Sequence, residues 1–349
     1  MRRTIWLIRH AMPDIPLGER WCVGGLTDLP LNRIGRLQAS LLPFVPELQG
    51  VSAVFCSPLS RARETALPLC PSPLVMPGLE EQVMGVWDGL SFREIRERYP
   101  ALYAARESDL SVVPEGAETL EAVRERMLDA LRRCLDKSDG DIAAVSHRTA
   151  ISTLTGCREL LTYTTLSALR WDGGQFTAEA VGIRPHPALT NAVCAALHEA
   201  AGTDEKLRAH CRAVADLADE LCAALRNKGV LLDAEAVHAA ALLHDLARSE
   251  KGHAAVGALW LRELGYPEIA DIVRQHHDPD GTDVNEAAVV FLADKAVRGN
   301  TRVPIGERFA ASGEKCTTPE ARAAHARRYV AAKTIQDKIN RLCEEELIP

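Results

Sequence analysis

In the first half of the chain, short apolar, β-branched runs at 4–8, 51–56, 142–146 and 167–171 alternate with helical patterns such as that from Leu120 to Asp136. Apolar runs of strand length, bounded by polar clusters, predict strands buried on both faces. Their alternation with helices predicts a mostly parallel sheet with helices on both faces, a three-layer α/β domain. At Arg184-Pro185-His186-Pro187 two prolines deny the backbone a helix, which predicts a stiff linker over 184–189 between domains at 1–183 and 190–349. Beyond it the pattern changes to long Ala/Leu-rich amphipathic stretches at 204–228, 234–246, 253–264, 267–276, 285–297 and 319–345. None reads as a strand, so the second domain is expected to be all-α, closing on a helical extension.

Composition agrees with this division. A chain of 349 residues with 47% hydrophobic and 26% charged residues suits two packed domains rather than one core or a disordered polymer. A net charge of −7 leaves no basic surplus for a nucleic-acid backbone, so a long nucleic acid is not the expected partner. The first apolar run is too brief for a signal peptide or a membrane helix and stops at Arg9-His10, so no membrane association is expected. Ten scattered cysteines without CxxC pairs read as reduced core residues of a cytoplasmic protein.

The strand candidates carry the first chemistry. Each of three runs straight into a polar cluster: Arg9-His10, then Ser57-Pro58-Leu59-Ser60-Arg61, then Ser146-His147. In an open parallel sheet the carboxyl ends of strands share one edge, so Arg9, His10, Arg61 and His147 can meet in one crevice. Two guanidiniums offer forked donors to phosphate oxygens, and a helix beginning near Pro58 would add backbone N–H groups. One imidazole can then attack phosphorus while the other stabilises the transferring oxygens, and a nearby carboxylic acid can protonate the leaving group. Glu81 is the candidate acid, with Glu80 as rival; Trp87 is expected to be packing.

Five ordered segments, LIRHA at 7–11, LTDLPLNRIGRLQA at 26–39, FCSPLSRARETA at 55–66, LEEQVMGVWDGLS at 79–91 and VSHRTAI at 145–151, together resemble the histidine phosphatases of the phosphoglycerate-mutase-like superfamily. The resemblance implies His10 as the phosphorylated nucleophile, Arg9, Arg61 and His147 as the phosphate pocket, and Glu81 as proton donor, with no cofactor. Two departures stand out. Ala11-Met12-Pro13-Asp14 replaces the Gly-Glu-Thr and following Asn that members often carry, and Arg148 follows His147 where members have Gly. Absence of the long insertions of a true mutase favours a phosphatase.

The helical half carries a second constellation: His210, His244-Asp245, His253, His276-His277 and Asp294. Imidazole and carboxylate from several packed helices suit a divalent ion. The set His210, His244, Asp245 and Asp294 resembles the core pattern of HD-domain metal-dependent phosphohydrolases over 203–300. His253 and His276 look like the additional histidines of members that hold a second ion. His277 reads as the weaker of its pair, and His198 and His238 as background. The resemblance implies one or two ions, with Mn, Fe, Mg, Zn and Co all compatible, and Arg248 and Lys251 are placed to contact a substrate phosphate. The expectation is a bifunctional phosphohydrolase acting on a small phosphorylated metabolite or nucleotide. The alternatives are a phosphatase with a regulatory nucleotide-binding HD module and a small-molecule phosphomutase.

Overall fold

The computed structural model describes residues 2–16 and 18–348. Contacts divide the chain into two compact units, the division falling between Pro187 and Ala188.

The first unit contains β1 (Arg3–Arg9), α1 (Arg33–Ser40), β2 (Ala53–Cys56), α2 (Ser60–Ala66), β3 (Leu74–Val75), α3 (Phe92–Arg98), α4 (Pro100–Ser108) and α5 (Leu120–Leu135). It continues with β4 (Ile142–Ser146), α6 (Arg148–Thr155), β5 (Leu166–Trp171) and β6 (Phe176–Ile183). The six strands lie in the order β3-β2-β4-β1-β5-β6. β3, β2, β4 and β1 are mutually parallel, and β5 and β6 run antiparallel at one edge. The sheet is therefore mixed, with a parallel half that holds the strand ends predicted to carry the chemistry.

Strand alternation explains why the apolar runs are continuous. Ile5, Leu7, Phe55, Ile142 and Ala144 point into a core with Val123, Met127 and Leu131 of α5 and Ile151 of α6. Their neighbours Ile8, Val54, Cys56, Ala143 and Val145 point the other way, toward Ala62 and Ala66 of α2. Helices cover both faces, so no position of β4 can be polar and facing water, and all five of its residues are buried. Two strands escaped the apolar pattern. β3 is only two residues long and exposed, and β6 is an edge strand with mostly exposed or half-buried positions.

The second unit contains α7 (Asn191–Ala201), α8 (Glu205–Asn227), α9 (Ala234–Leu243), α10 (His253–Leu264), α11 (Pro267–Arg274) and α12 (Glu286–Lys295). A small hairpin of β7 (Val297–Arg298) and β8 (Thr301–Arg302) follows, then α13 (Ile305–Gly313) and α14 (Pro319–Cys343). The hairpin corrects the strand-free expectation for this half. Four residues in two strands around Gly299, with φ +63°, are too short for periodicity to reveal.

Side-chain caps set the helix starts. Asp204, Asp233 and Asn285 accept the N–H of Leu207, Ala236 and Ala288 at 2.8, 3.0 and 2.8 Å. Helix α12 is buried from Ala287 to Lys295, as a helix apolar on all sides must be, and Val289 to Leu292 are core. All ten cysteines are free thiols. Among the described residues no helix is long and apolar enough to cross a membrane.

Candidate active site and metal centre

In the first unit the structure brings Arg9, His10, Arg61 and His147 to the carboxyl ends of β1, β2 and β4, with the two imidazole centroids 4.9 Å apart. His10 Nδ1 lies 2.7 Å from the carbonyl of Ala11. A carbonyl only accepts, so Nδ1 carries the proton and Nε2 keeps its lone pair. Burial, reinforced by the charges of Arg61 and Arg9, holds the His10 pKa well below its ordinary value, so the ring is neutral at neutral pH.

The same environment acts on His147, whose pKa burial and Arg61 push well down. Its Nε2 lies 2.9 Å from Ser57 Oγ, which in turn accepts the Leu59 N–H at 3.3 Å. With the serine hydroxyl donating to Nε2, the His147 proton sits on Nδ1, a buried atom with no protein partner.

The arginines are fixed from behind. Arg61, fully buried, donates to the carbonyls of Thr27 at 2.6 Å and Gly24 at 3.1 Å. Arg9 donates to Leu161 O at 2.7 Å and stacks on Tyr163 with its guanidinium carbon 4.1 Å from the ring centroid. Burial lowers both pKa values, that of Arg9 to about 10, and both remain charged at neutral pH. Arg9 Nε and Arg61 Nε are buried without a partner. Together with His147 Nδ1 they make a set of preoriented donors suited to phosphoryl oxygens.

Glu81 lines the same cavity as His10, a space of about 460 Å³. Its Oε1 accepts the N–H of Gln82 and Ala150, and its Oε2 that of Thr149, at 2.9, 3.1 and 3.1 Å. These bonds orient the carboxylate at the start of α6, with Oε2 taking one N–H where Oε1 takes two. Glu80 turns away, accepting from Gly78 N at 2.6 Å and facing Arg126 at 3.9 Å.

One expectation needs correcting. The helix after Pro58 begins at Ser60, whose N–H and hydroxyl are both taken by the Asp28 carboxylate at 2.7 and 2.9 Å. That helix start is capped by protein, so it is not a phosphate cradle. Trp87 is buried beside Cys22 and Ile95 as packing, although one edge also lines the cavity.

In the second unit the ligand-type residues sit mostly at helix ends, and the backbone explains their orientation. His244 follows α9 and His276 follows α11 by two residues, where last-turn carbonyls have no intrahelical partner. His244 Nδ1 faces Ala241 O at 2.8 Å, His276 Nδ1 faces Val273 O at 2.7 Å, and His210 Nδ1 faces Gly299 O at 2.7 Å. Each carbonyl fixes a proton on Nδ1 and turns Nε2 inward; that of His210 lies 3.2 Å from Asp294 Oδ1, which holds the His210 pKa up against burial. Burial lowers the His244 pKa to about 4, keeping it neutral, and its Nε2 is buried with no hydrogen-bond partner.

Two groups form. His210, His244 and Asp294 make one; Asp245, His253, His276 and His277 make the other, with donor atoms within 4.8 Å of one another in each. Asp245 faces both: Oδ2 is 3.7 Å from His244 Nε2, and Oδ1 is 3.1 and 3.6 Å from the Nε2 atoms of His253 and His276. The Oδ1 contacts lack hydrogen-bonding alignment, and that atom too is a buried orphan. Convergent lone pairs and carboxylates with too few protons between them fit a divalent cation.

Two neighbours tune this cluster. Lys295, buried beside Asp294, donates to Asp294 Oδ2, to the His276 carbonyl at 3.1 Å and to His277 Nδ1 at 3.2 Å. Because an ammonium only donates, His277 carries its proton on Nε2 and directs it to His253 Nε2 at 2.8 Å. Arg248 also faces His253 Nε2, at 3.0 Å, while Lys251 is exposed. His198 bonds Leu242 O and Thr203, and His238 links Asp219 and Asn191, both away from the cluster.

Sequence reasoning passed over Tyr163, Asp88 and Lys295. Asp88 accepts from Gly24 N, Leu26 N, Met84 N and Thr27 Oγ1, tying down the loop whose carbonyls hold Arg61. A Cβ at Gly24 would lie 2.4 Å from Asp88 Oδ2, so that position requires glycine. Lys295 left one signal, a cation directly after Asp294 in an otherwise apolar helix.

Fold and sites together define a class: an α/β unit organised around a buried histidine pair with arginines, covalently linked to a helical unit with a His/Asp cluster. The chain belongs to the histidine phosphatase superfamily (branch 1), whose model matches residues 5–184, and an HD domain model matches residues 207–299. It is 31% identical over 154 residues to Bifunctional protein Rv2228c of Mycobacterium tuberculosis, covering 42% of each chain. It is 30% identical over 153 residues to Metal-independent phosphoserine phosphatase of Arabidopsis thaliana, covering 41% of this chain and 63% of that one. It is 39% identical over 94 residues to Uncharacterized protein MJ0778 of Methanocaldococcus jannaschii, 26% of this chain and 56% of the other. The chain thus spans between about two fifths and two thirds of the length of these relatives. Among solved structures, mycobacterial glucosyl-3-phosphoglycerate phosphatase aligns over 52% of this chain and 100% of its own, at TM-score 0.45 and 21% identity.

Proposed function

We propose that the chain is a bifunctional phosphohydrolase with two chemically independent centres. In the first unit His10 Nε2 attacks phosphorus, the ester P–O bond breaks, and the leaving oxygen takes a proton from Glu81. Water then attacks the phosphohistidine, returning a proton to Glu81, so that one monoester and one water yield one alcohol and one phosphate. Arg9, Arg61 and His147 stabilise the charge on the transferring oxygens. The observation that carries this reading is the fixed lone pair on His10 Nε2, set among buried, unpartnered donors of Arg9, Arg61 and His147. Phosphatase names among the relatives support a small phosphorylated metabolite as substrate.

In the second unit His210, His244, Asp245 and Asp294 would hold one divalent ion, and Asp245 with His253 and His276 a second. Mn, Fe, Mg, Zn and Co all suit such ligands. Lewis-acid polarisation of a phosphate ester and acidification of water are the chemistry such an ion supplies. Arg248, exposed at the cluster's edge, can meet a substrate phosphate, and a nucleotide-like ester fits that charge arrangement. Fusion of the two units favours consecutive steps, an ester opened by the helical unit and the resulting monoester cleared by the other.

Phosphate release from a panel of monoesters and nucleotides by wild type, His10→Ala and Asp245→Ala tests both centres. The expected outcome is monoester turnover lost only with His10 and a nucleotide activity lost only with Asp245. Full monoester turnover by His10→Ala refutes the first mechanism. A nucleotide bound but never hydrolysed turns the helical unit into a regulatory module.

A further inference from the structure

The cavity above His10 is larger and more positive than one phosphoryl group requires. Its volume, about 460 Å³, falls in the range of pockets that enclose a whole small molecule. Beyond the phosphoryl site its wall carries Arg20, Arg148 and Arg158. Among the described residues none of these three guanidiniums has a carboxylate partner. Arg20 rests over the Phe92 ring at 5.0 Å, and Arg148 Nε bonds only the Arg158 carbonyl, at 3.2 Å. They are also close enough to oppose one another, since Arg158 and Arg20 both push the Arg148 pKa down, after burial.

Glu81 and the exposed Glu159 offset this only in part: both raise the Arg148 pKa, yet burial and the neighbouring arginines leave it lowered. Of the acids that line the wall, Glu81 is held by backbone N–H groups, Glu107 accepts from the Tyr103 hydroxyl, and Glu19 is exposed, so none forms an ion pair with these guanidiniums. The rings of Trp21 and Trp87 also line the cavity, and their indole Nε1 atoms are buried without an acceptor. Three guanidiniums without an ion pair on one wall are matched by a ligand rich in acceptor oxygens.

Resting on the phosphatase reading of the His10 site, we infer that its substrate carries a second anionic group, a carboxylate or a second phosphoryl group, bound by Arg148 and Arg158 at the far side of the cavity. Arg148 is the first residue of α6, directly after His147, so the phosphoryl site and this second subsite are held by one rigid element. The substrate's body lies between them against the aromatic rings.

Three aryl phosphates of matched shape test this: 4-carbamoylphenyl, 4-carboxyphenyl and 4-(phosphonomethyl)phenyl phosphate. The carboxylate, the phosphonate or both should exceed the neutral amide in kcat/KM by about tenfold or more, the scale of one charge-assisted contact. Which of the two is preferred identifies the anion. The ratio should fall toward one in Arg148→Ala and in Arg158→Gln, two variants on different segments, and in wild type as salt rises. Equal kcat/KM for all three phosphates in wild type overturns the inference, as does a preference that both variants retain while folded by thermal melting. If no phosphate is turned over in a His10-dependent way, the phosphatase reading fails. Calorimetric binding of the carboxylate and amide compounds still decides the second subsite, equal affinity counting against it.

Discussion

The two centres solve opposite electrostatic problems. At the strand ends of the first unit, positive donors outnumber acceptors: Arg9, Arg61 and His147 present N–H groups around a neutral His10. In the helical unit lone pairs and carboxylates outnumber protons, with the Nε2 atoms of His210, His244 and His276 turned toward Asp245 and Asp294. The first arrangement has the chemistry to take an anion and the second that to take a cation. Burial serves both, since a dry site strengthens a phosphate contact and keeps imidazole neutral for a metal.

Breaking the comparison at its strongest point means removing one partner from each side. His10→Ala should lower monoester kcat by about 10³-fold or more, over 4 kcal/mol, because no other group supplies the nucleophile. Nucleotide turnover measured on the same sample should be unchanged. Lys295→Met leaves Asp294 without its buried cation and should destabilise the metal-free second unit by about 3 kcal/mol, read from urea melts in chelator. Added divalent ion should recover part of that loss, because it replaces the missing charge.

Acid sharpens the contrast in the first unit. His10 and His147 have folded pKa values below the unfolded value of about 6.5, so below that pH the unfolded chain takes up protons that the folded one does not. Stability is thus present above about pH 6.5 and falls as pH drops toward the folded values, by up to ~1.4 kcal/mol per pH unit for each histidine. Melts of the first unit between pH 7 and 5 check this, and a flat profile would show the two rings titrating normally. At the weak end, Glu179→Gln removes a half-exposed ion pair with Arg170 and should change stability by less than about 1 kcal/mol by the same melts.

How legible each region was follows from chain geometry. β1, β2 and β4 are buried on both faces, so their apolar runs and the polar residues ending them stood out, and with them Arg9, His10, Arg61 and His147. β3 and β6 lie at sheet edges, where exposure erases the pattern. The helical cluster was readable from the ordered set His210, His244-Asp245 and Asp294 and its resemblance to HD domains, since a lone His or Asp, such as His198, His238 or Asp219, carries no such signal. Its finer organisation was not, since Lys295 and the carbonyls of Ala241 and Val273 act through distance and tautomer, which no spacing encodes. The Asp28 cap on α2 was likewise hidden, lying 32 residues from the serine it holds.

The most direct test of two independent centres is monoester hydrolysis and metal content measured together on the full chain before and after exhaustive chelation. The account predicts that bound divalent ion falls from one or two per chain to none while His10-dependent monoester turnover stays constant. Loss of monoester turnover in step with the metal would contradict it.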